Sequence, residues 1–183
     1  MNPTLDFVFA KIRSDNKAKQ SHKLESESSS IIESLSHNEV DIDAKEHIQY
    51  HKLYFDGASK GNPGKASLGF VIYDHNDNII KTYNEYLGIR TNNYAEYMGL
   101  LRGLEWAIQH DIFDIKIFGD SQLVIYQMMG KYQCRNVNLI PIYKKCKELI
   151  PLHFHSVSFY HVLRNANTLA DQLANEIFRP MNV

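Results

Sequence analysis

Four carboxylates stand at or near the ends of apolar segments: Asp56, Glu96, Asp120 and Asp171. None has a histidine or cysteine close by in sequence, so a cluster of them would offer oxygen donors only. Oxygen-only clusters suit hard divalent cations such as Mg²⁺ or Mn²⁺ rather than zinc. Taken singly, three of the four have ordinary structural uses. Asp56 precedes Gly57 and could serve a turn. Glu96 could complement the positive end of a helix, and Asp120, before Ser121, could cap one. Asp171 is harder to explain that way, because Leu169, Ala170, Leu173 and Ala174 surround it.

Whether the four meet depends on the elements that carry them. Residues 52–56 alternate as a strand that ends at Asp56, followed by a Gly/Pro turn over 57–64. Two further strands, 68–73 and 79–87, flank the turn at 75–78, so the first three strands form an antiparallel meander. Residues 94–109 carry Met98, Leu101, Leu104 and Ile108 at helical spacing. Gly99 and Gly103 lie on another line of that helix, where small residues allow close approach to a sheet. A fourth strand spans 114–120, a short helix 123–129, another helix 138–150, a fifth strand 156–162 and a last helix 166–178. The order β-β-β-α-β-α-α-β-α describes one α/β domain over 49–180 with a mixed sheet. If the first and fourth strands are parallel neighbours, their C-terminal ends bring Asp56 and Asp120 into one crevice.

Composition adds bounds but no function. The 183 residues are 44% apolar and carry 20 basic against 21 acidic groups. Residues 1–50 hold six Lys/Arg and nine Asp/Glu, residues 51–183 fourteen and twelve. So small an excess is no argument for nucleic-acid binding. Cys134 and Cys146 lack the spacing of a redox or zinc pair. No apolar run approaches the roughly 20 residues that span a bilayer, and the N-terminus lacks a signal-type apolar stretch. The expectation is a soluble intracellular monomer, cytoplasmic or nuclear, without membrane association. Residues 1–48 are polar in runs such as Glu25-Ser-Glu-Ser-Ser-Ser30, with only short apolar pieces at Phe7-Val-Phe9 and Ile31-Ile32. They are expected to be a disordered or weakly structured leader and a candidate docking segment for another protein.

Tyr54-Phe-Asp-Gly-Ala-Ser-Lys-Gly-Asn-Pro-Gly64 resembles the first-strand signature of type 1 ribonuclease H. Thr91-Asn-Asn-Tyr-Ala-Glu96 resembles the family's second motif and Asp120-Ser-Gln-Leu-Val124 its third. His161-Val-Leu-Arg-Asn-Ala-Asn-Thr-Leu-Ala-Asp171-Gln-Leu-Ala174 resembles the fourth, in its archaeal-like form. The resemblance covers residues 50–178. It implies a ribonuclease H-like α/β fold, a five-stranded mixed sheet flanked by helices. It also implies an endonuclease that hydrolyses the RNA strand of RNA–DNA hybrids by a two-metal-ion mechanism, leaving 5′-phosphate and 3′-hydroxyl ends. Asp56, Glu96, Asp120 and Asp171 become the catalytic, metal-binding carboxylates, holding two Mg²⁺ ions about 3.5–4 Å apart, with Mn²⁺ as the alternative. Gly57 brings backbone close to the RNA strand. Asn62, Asn92 and Gln122, joined by Asn93, match positions that touch riboses or bases, where the 2′-hydroxyl distinguishes RNA from DNA. Thr91 matches a residue that grips a DNA phosphate, and Arg164 is a candidate for approach to the scissile phosphate.

Two features depart from bacterial relatives. The basic, Trp-bearing handle between the third and fourth motifs is absent, leaving Lys131, Arg135, Lys144, Lys145 and Lys147 as the candidate remnant of backbone affinity. The loop before Asp171 is short, and His161 falls at the end of the fifth strand in a structural role. Integrase and transposase cores space their acids differently and lack the Gly-Asn-Pro-Gly and Thr-Asn-Asn motifs. A non-catalytic hybrid-binding module would have no reason to keep four crowded like charges.

Overall fold

The structure is a computed structural model that describes residues 49–179, so the expectations for the leader at 1–48 lie outside the described residues. The chain forms β1 (His51–Gly61), β2 (Gly64–Tyr73) and β3 (Ile79–Arg90), then α1 (Asn92–Gln109), β4 (Asp114–Gly119) and α2 (Gln122–Met128). It continues with α3 (Ile140–His153), β5 (Ser156–His161), a 3₁₀ turn (Arg164–Ala166) and α4 (Thr168–Glu176). The sheet order is β3-β2-β1-β4-β5. The β1–β2 and β2–β3 pairs are antiparallel, whereas β1–β4 and β4–β5 are parallel. The meander and the parallel β1–β4 neighbours match the sequence reading.

Strand periodicity sorts the residues of β1 by face. Leu53 and Phe55 are fully buried and join Leu68, Phe70, Ile72, Ile115 and Ile117 in the core. Leu100, Leu101 and Leu104 of α1 close over that face, and α4 packs on the opposite face against β1 and β2. Covered on both sides, β2 is buried from Ala66 to Ile72. Burying an aliphatic or aromatic core side chain contributes about 1.5–3 kcal/mol, so these two contacts anchor the sheet. The small-residue line of α1 serves as expected. A Cβ on Gly103 would come within 2.5 Å of the Leu53 side chain, and one on Gly99 within 2.9 Å of the Asp56 carbonyl.

The first strand does not end at Asp56. Its pairing with β2 runs on to Gly61↔Gly64, so only Asn62 and Pro63 make the turn expected over 57–64. On its other edge, β1 pairs with β4 only as far as Phe55↔Gly119. Asp56 therefore sits where β1 keeps one neighbour and loses the other, and the crevice opens mid-strand. Other boundaries also move. Strand β3 extends to Arg90, and α1 starts at Asn92 because Thr91 caps it, its Oγ1 accepting from the Tyr94 amide at 3.3 Å. Helix α3 covers 140–153, with Pro141 near its start, where a missing N–H costs nothing. The α2–α3 connection is thus 129–139 rather than the 130–137 left between the expected helices. Among the described residues no helix is long and apolar enough to cross a membrane.

Candidate active site

Three of the four carboxylates converge. Asp56, Glu96 and Asp120 each place a carboxylate oxygen within 4.8 Å of the others, at the opening between β1 and β4. Asp120 follows the last residue of β4, and Ser121, not Asp120, caps α2, leaving the Asp120 carboxylate free for the site. Glu96 lies in the second turn of α1, past the reach of a simple dipole complement, and is only 5% exposed. It reaches Asp56 because α1 rests directly on β1. A Cβ on Gly57 would lie 2.1 Å from the Glu96 amide nitrogen, so only glycine permits this approach. The cleft has a volume of about 240 Å³, and Asn92, Lys60, Asn175 and Arg164 also line it.

Electrostatics give the trio its character. Burial, reinforced by the Asp120 and Asp171 charges and opposed by the Gly57 amide, pushes the Asp56 carboxyl up to about 8. Burial, then the Asp56 and Asp120 charges, raises Glu96 well above the usual carboxylate range. One oxygen of Glu96, Oε2, is buried without any hydrogen-bond partner. An orphaned acceptor among crowded carboxylates is what remains when a cation is the intended partner. The all-oxygen donor set fits a hard divalent ion.

Asp171 stands apart from the trio. It pairs with Arg164 and accepts from Asn175 Nδ2 at 3.4 Å. It is near enough for its charge to act on Asp56, but the structure does not bring it into the cluster. The sequence reading also missed Asn167, which is 1% exposed and donates through Nδ2 to the Phe55 carbonyl and to Asp120 Oδ1, both at 2.9 Å. One buried amide thus ties the last residue of β1 paired with β4 to a cluster carboxylate at the entry of α4. The signal was available: Asn167 sits four residues before Asp171 inside the fourth motif.

The residues expected to touch substrate surround the cleft in different ways. Asn62 Oδ1 accepts from the Asn92 amide at 3.1 Å, joining the hairpin turn to the start of α1. Asn92 lines the cleft, whereas Asn93 and Thr91 are exposed beside it. Gln122 is exposed and donates to the Tyr132 hydroxyl at 3.1 Å. Gly57 is buried under α1, so the structure assigns it a packing role. Arg164 is exposed and held by Asp171. His161 ends β5, exposed, with Nε2 3.2 Å from the Asp120 carbonyl. Of the lysines thought to supply backbone affinity, Lys145 pairs with Glu105, and Lys147 donates to the Met128 carbonyl at 3.3 Å. Both are engaged within the fold.

Comparison with known proteins agrees with this geometry. The reverse transcriptase-like family profile matches residues 54–177. The chain is 41% identical over 123 residues to ribonuclease HI of Halobacterium salinarum, covering 67% of this chain and 61% of that protein. It is 36% identical over 123 residues to a bifunctional protein of Mycobacterium tuberculosis, covering 66% of this chain and 33% of that one. It therefore spans less than two thirds of either relative. The crystal structure of the Halobacterium salinarum ribonuclease H1 superposes with a TM-score of 0.68 at 39% identity, covering 70% of this chain and 97% of that one. LC11 ribonuclease H1, solved with an RNA/DNA hybrid, superposes with a TM-score of 0.65 at 33% identity, covering 69% and 94%. With the motifs in order, the sheet topology matched and the acidic trio in place, the chain belongs to the reverse transcriptase-like family and, within it, to type 1 ribonuclease H.

Proposed function

We propose that this protein is an endonuclease that hydrolyses the RNA strand of RNA–DNA hybrids with divalent metal, leaving 5′-phosphate and 3′-hydroxyl ends. The observation that carries the reading is the Asp56–Glu96–Asp120 cluster, with Asp56 and Glu96 buried and Glu96 Oε2 unpartnered. Asp56, Glu96 and Asp120 would hold the metal, and Asp171 would join them once released from Arg164. Two Mg²⁺ ions, or Mn²⁺ in their place, would supply activation of water and stabilisation of the leaving oxygen. The chain's own groups do the rest. Asn167 fixes Asp120 against β1, while Asn62, Asn92, Asn93 and Gln122 recognise ribose hydroxyls and base edges from the minor groove. Thr91 grips a phosphate of the DNA strand, and Arg164, freed from Asp171, reaches toward the phosphate being cut. A cytoplasmic or nuclear site of action is supported by two free cysteines, one of them buried.

The test is a hybrid labelled separately on each strand, incubated with the protein and Mg²⁺, Mn²⁺ or EDTA. The expected outcome is internal cleavage of the RNA strand alone, dependent on metal, with products that ligate through a 5′-phosphate. Cleavage of the DNA strand, or cleavage that survives EDTA, would contradict the reading.

A further inference from the structure

The tip of the β1–β2 hairpin sets two lysines against each other with no ion pair to offset them among the described residues. Lys60 and Lys65 are direct cross-strand partners, and both are exposed. Like charges placed opposite one another in an antiparallel pair are destabilising. Among the described residues neither lysine forms an ion pair. The one polar contact at either ammonium among the described residues is neutral, from Lys60 Nζ to Asn175 Oδ1 at 3.2 Å. Lys60 also lies 5.3 Å from the centre of the Phe178 ring, which orients its stem without cancelling its charge.

The position of this pair suggests what it faces. Lys60 lines the carboxylate cleft beside Asp56, Glu96 and Asp120, and it also lines a second groove with Lys65, Tyr86, Ile177 and Phe178. That groove has a volume of about 750 Å³ and contains no carboxylate. Asp56 and Lys60 lie four residues apart on the same face of β1, about 13 Å along the strand. A nucleic-acid strand whose phosphate lay at the trio would thus have its next few phosphates, spaced about 3.4 Å apart along the helix axis, within reach of the lysines.

We propose that Lys60 and Lys65 form a phosphate-gripping edge that holds the sugar–phosphate backbone of the hybrid as it leaves the cleft past the hairpin. The proposal rests on the hybrid-cleaving reading of the acidic trio and extends the substrate contacts to the hairpin side of the cleft, giving Lys60 of the first motif and Lys65 just beyond it a role the resemblance did not assign. It also supplies backbone affinity on a chain that lacks the basic handle and has Lys145 and Lys147 engaged within the fold.

The experiment measures kcat and KM for hybrid cleavage in Mg²⁺ over a series of KCl concentrations. It compares wild type, the double variant Lys60→Gln/Lys65→Gln, and Lys116→Gln, which removes one charge at the far end of the same sheet. Each lost phosphate contact should make the plot of log(kcat/KM) against log[salt] shallower by about 0.9, so the double variant should lose close to 2 in slope. At about 0.1 M salt its KM should rise on the order of ten-fold, with kcat within about two-fold of wild type. Its melting temperature should not fall, because the Lys60–Lys65 opposition is gone. Lys116→Gln should leave slope and KM at the wild-type values. If wild type cleaves the hybrid and the double variant keeps the wild-type slope and KM, the phosphate edge is refuted and the reading of the trio stands. An equal loss of slope in Lys116→Gln would reduce the effect to bulk charge and refute the edge as well. If wild type does not cleave the hybrid at all, the reading of the trio fails, and the edge falls with it.

Discussion

Asp56, Glu96 and Asp120 bring three carboxylates together at a site where Asp56 and Glu96 are buried and Asp120 is half-buried, and the consequences can be read residue by residue. Asp56 should ionise at about 8 in the metal-free protein, against an ordinary value of 3.8. A carboxyl with a raised folded value favours the folded state while protonated, so its contribution is present below about pH 4 and is lost as pH rises toward 8. In EDTA, Asp56→Asn should therefore melt several °C above wild type at pH 8, with the gap closing toward pH 4. Millimolar Mg²⁺ should narrow the gap at pH 8, because metal binding stabilises wild type more than a damaged site. A variant that melts below wild type in EDTA at pH 8 would show that Asp56 forms native hydrogen bonds that outweigh the repulsion. For activity, Asp56→Asn and Asp120→Asn should each lose on the order of a thousand-fold or more in kcat while keeping a cooperative melt. Asp171→Asn should lose less, since Asp171 stands outside the trio and is tied to Arg164. Retention of over a tenth of wild-type kcat in either trio variant would remove that residue from the reaction. The types and positions of the four acids were legible in sequence. The split between a converging trio and a paired fourth was not, because it depends on where Arg164 and Asn175 turn their side chains. Asn167→Ala should cost about 1–3 kcal/mol in urea unfolding, since it leaves a buried carbonyl and one of the charged acceptors unpaired. An unchanged midpoint would mean that water replaces the amide.

The elements that place these residues are governed by close approach. Helix α1 can set Glu96 beside Asp56 only because Gly57 has no side chain, and the atoms in the way are backbone, which cannot rotate aside. Gly57→Ala should therefore destabilise the domain by about 1–3 kcal/mol or more. It should also weaken metal binding, measured by calorimetric titration of Mn²⁺, because α1 must move away from β1. Wild-type stability and Mn²⁺ affinity in that variant would show that α1 can slide without disturbing the site. The resemblance places the Gly57 backbone close to the RNA strand, and in the fold Gly57 is buried mid-strand under α1. Its burial and the misplaced end of β1 share one cause: pairing with β2 prolongs the strand after pairing with β4 has stopped. One-dimensional alternation cannot show that a strand loses its partners at different residues on its two edges. The small-residue line of Gly99 and Gly103 was legible because periodicity alone puts it on one stripe of the helix.

On the scale of the molecule, sheet order decides the site. With β1 at the centre, antiparallel to β2 and parallel to β4, the strand ends diverge at one place, and three acids from β1, α1 and the end of β4 collect there. This topology follows from the order of the motifs, which is why the fold class and the location of the site were legible in the sequence. Net charge gave no hint of the ligand, because local patches such as the hairpin lysines vanish in a sum near zero. The central claim is that this crevice cuts RNA and recognises ribose while doing so. It is tested most directly by a duplex of DNA carrying four consecutive ribonucleotides in one strand, incubated with the protein and Mg²⁺, with cleavage mapped to single-nucleotide resolution. The account expects cuts only within or at the border of the ribonucleotide stretch, and an all-DNA duplex left intact. Cleavage of the all-DNA duplex at a comparable rate, or no cleavage of either substrate, would contradict it.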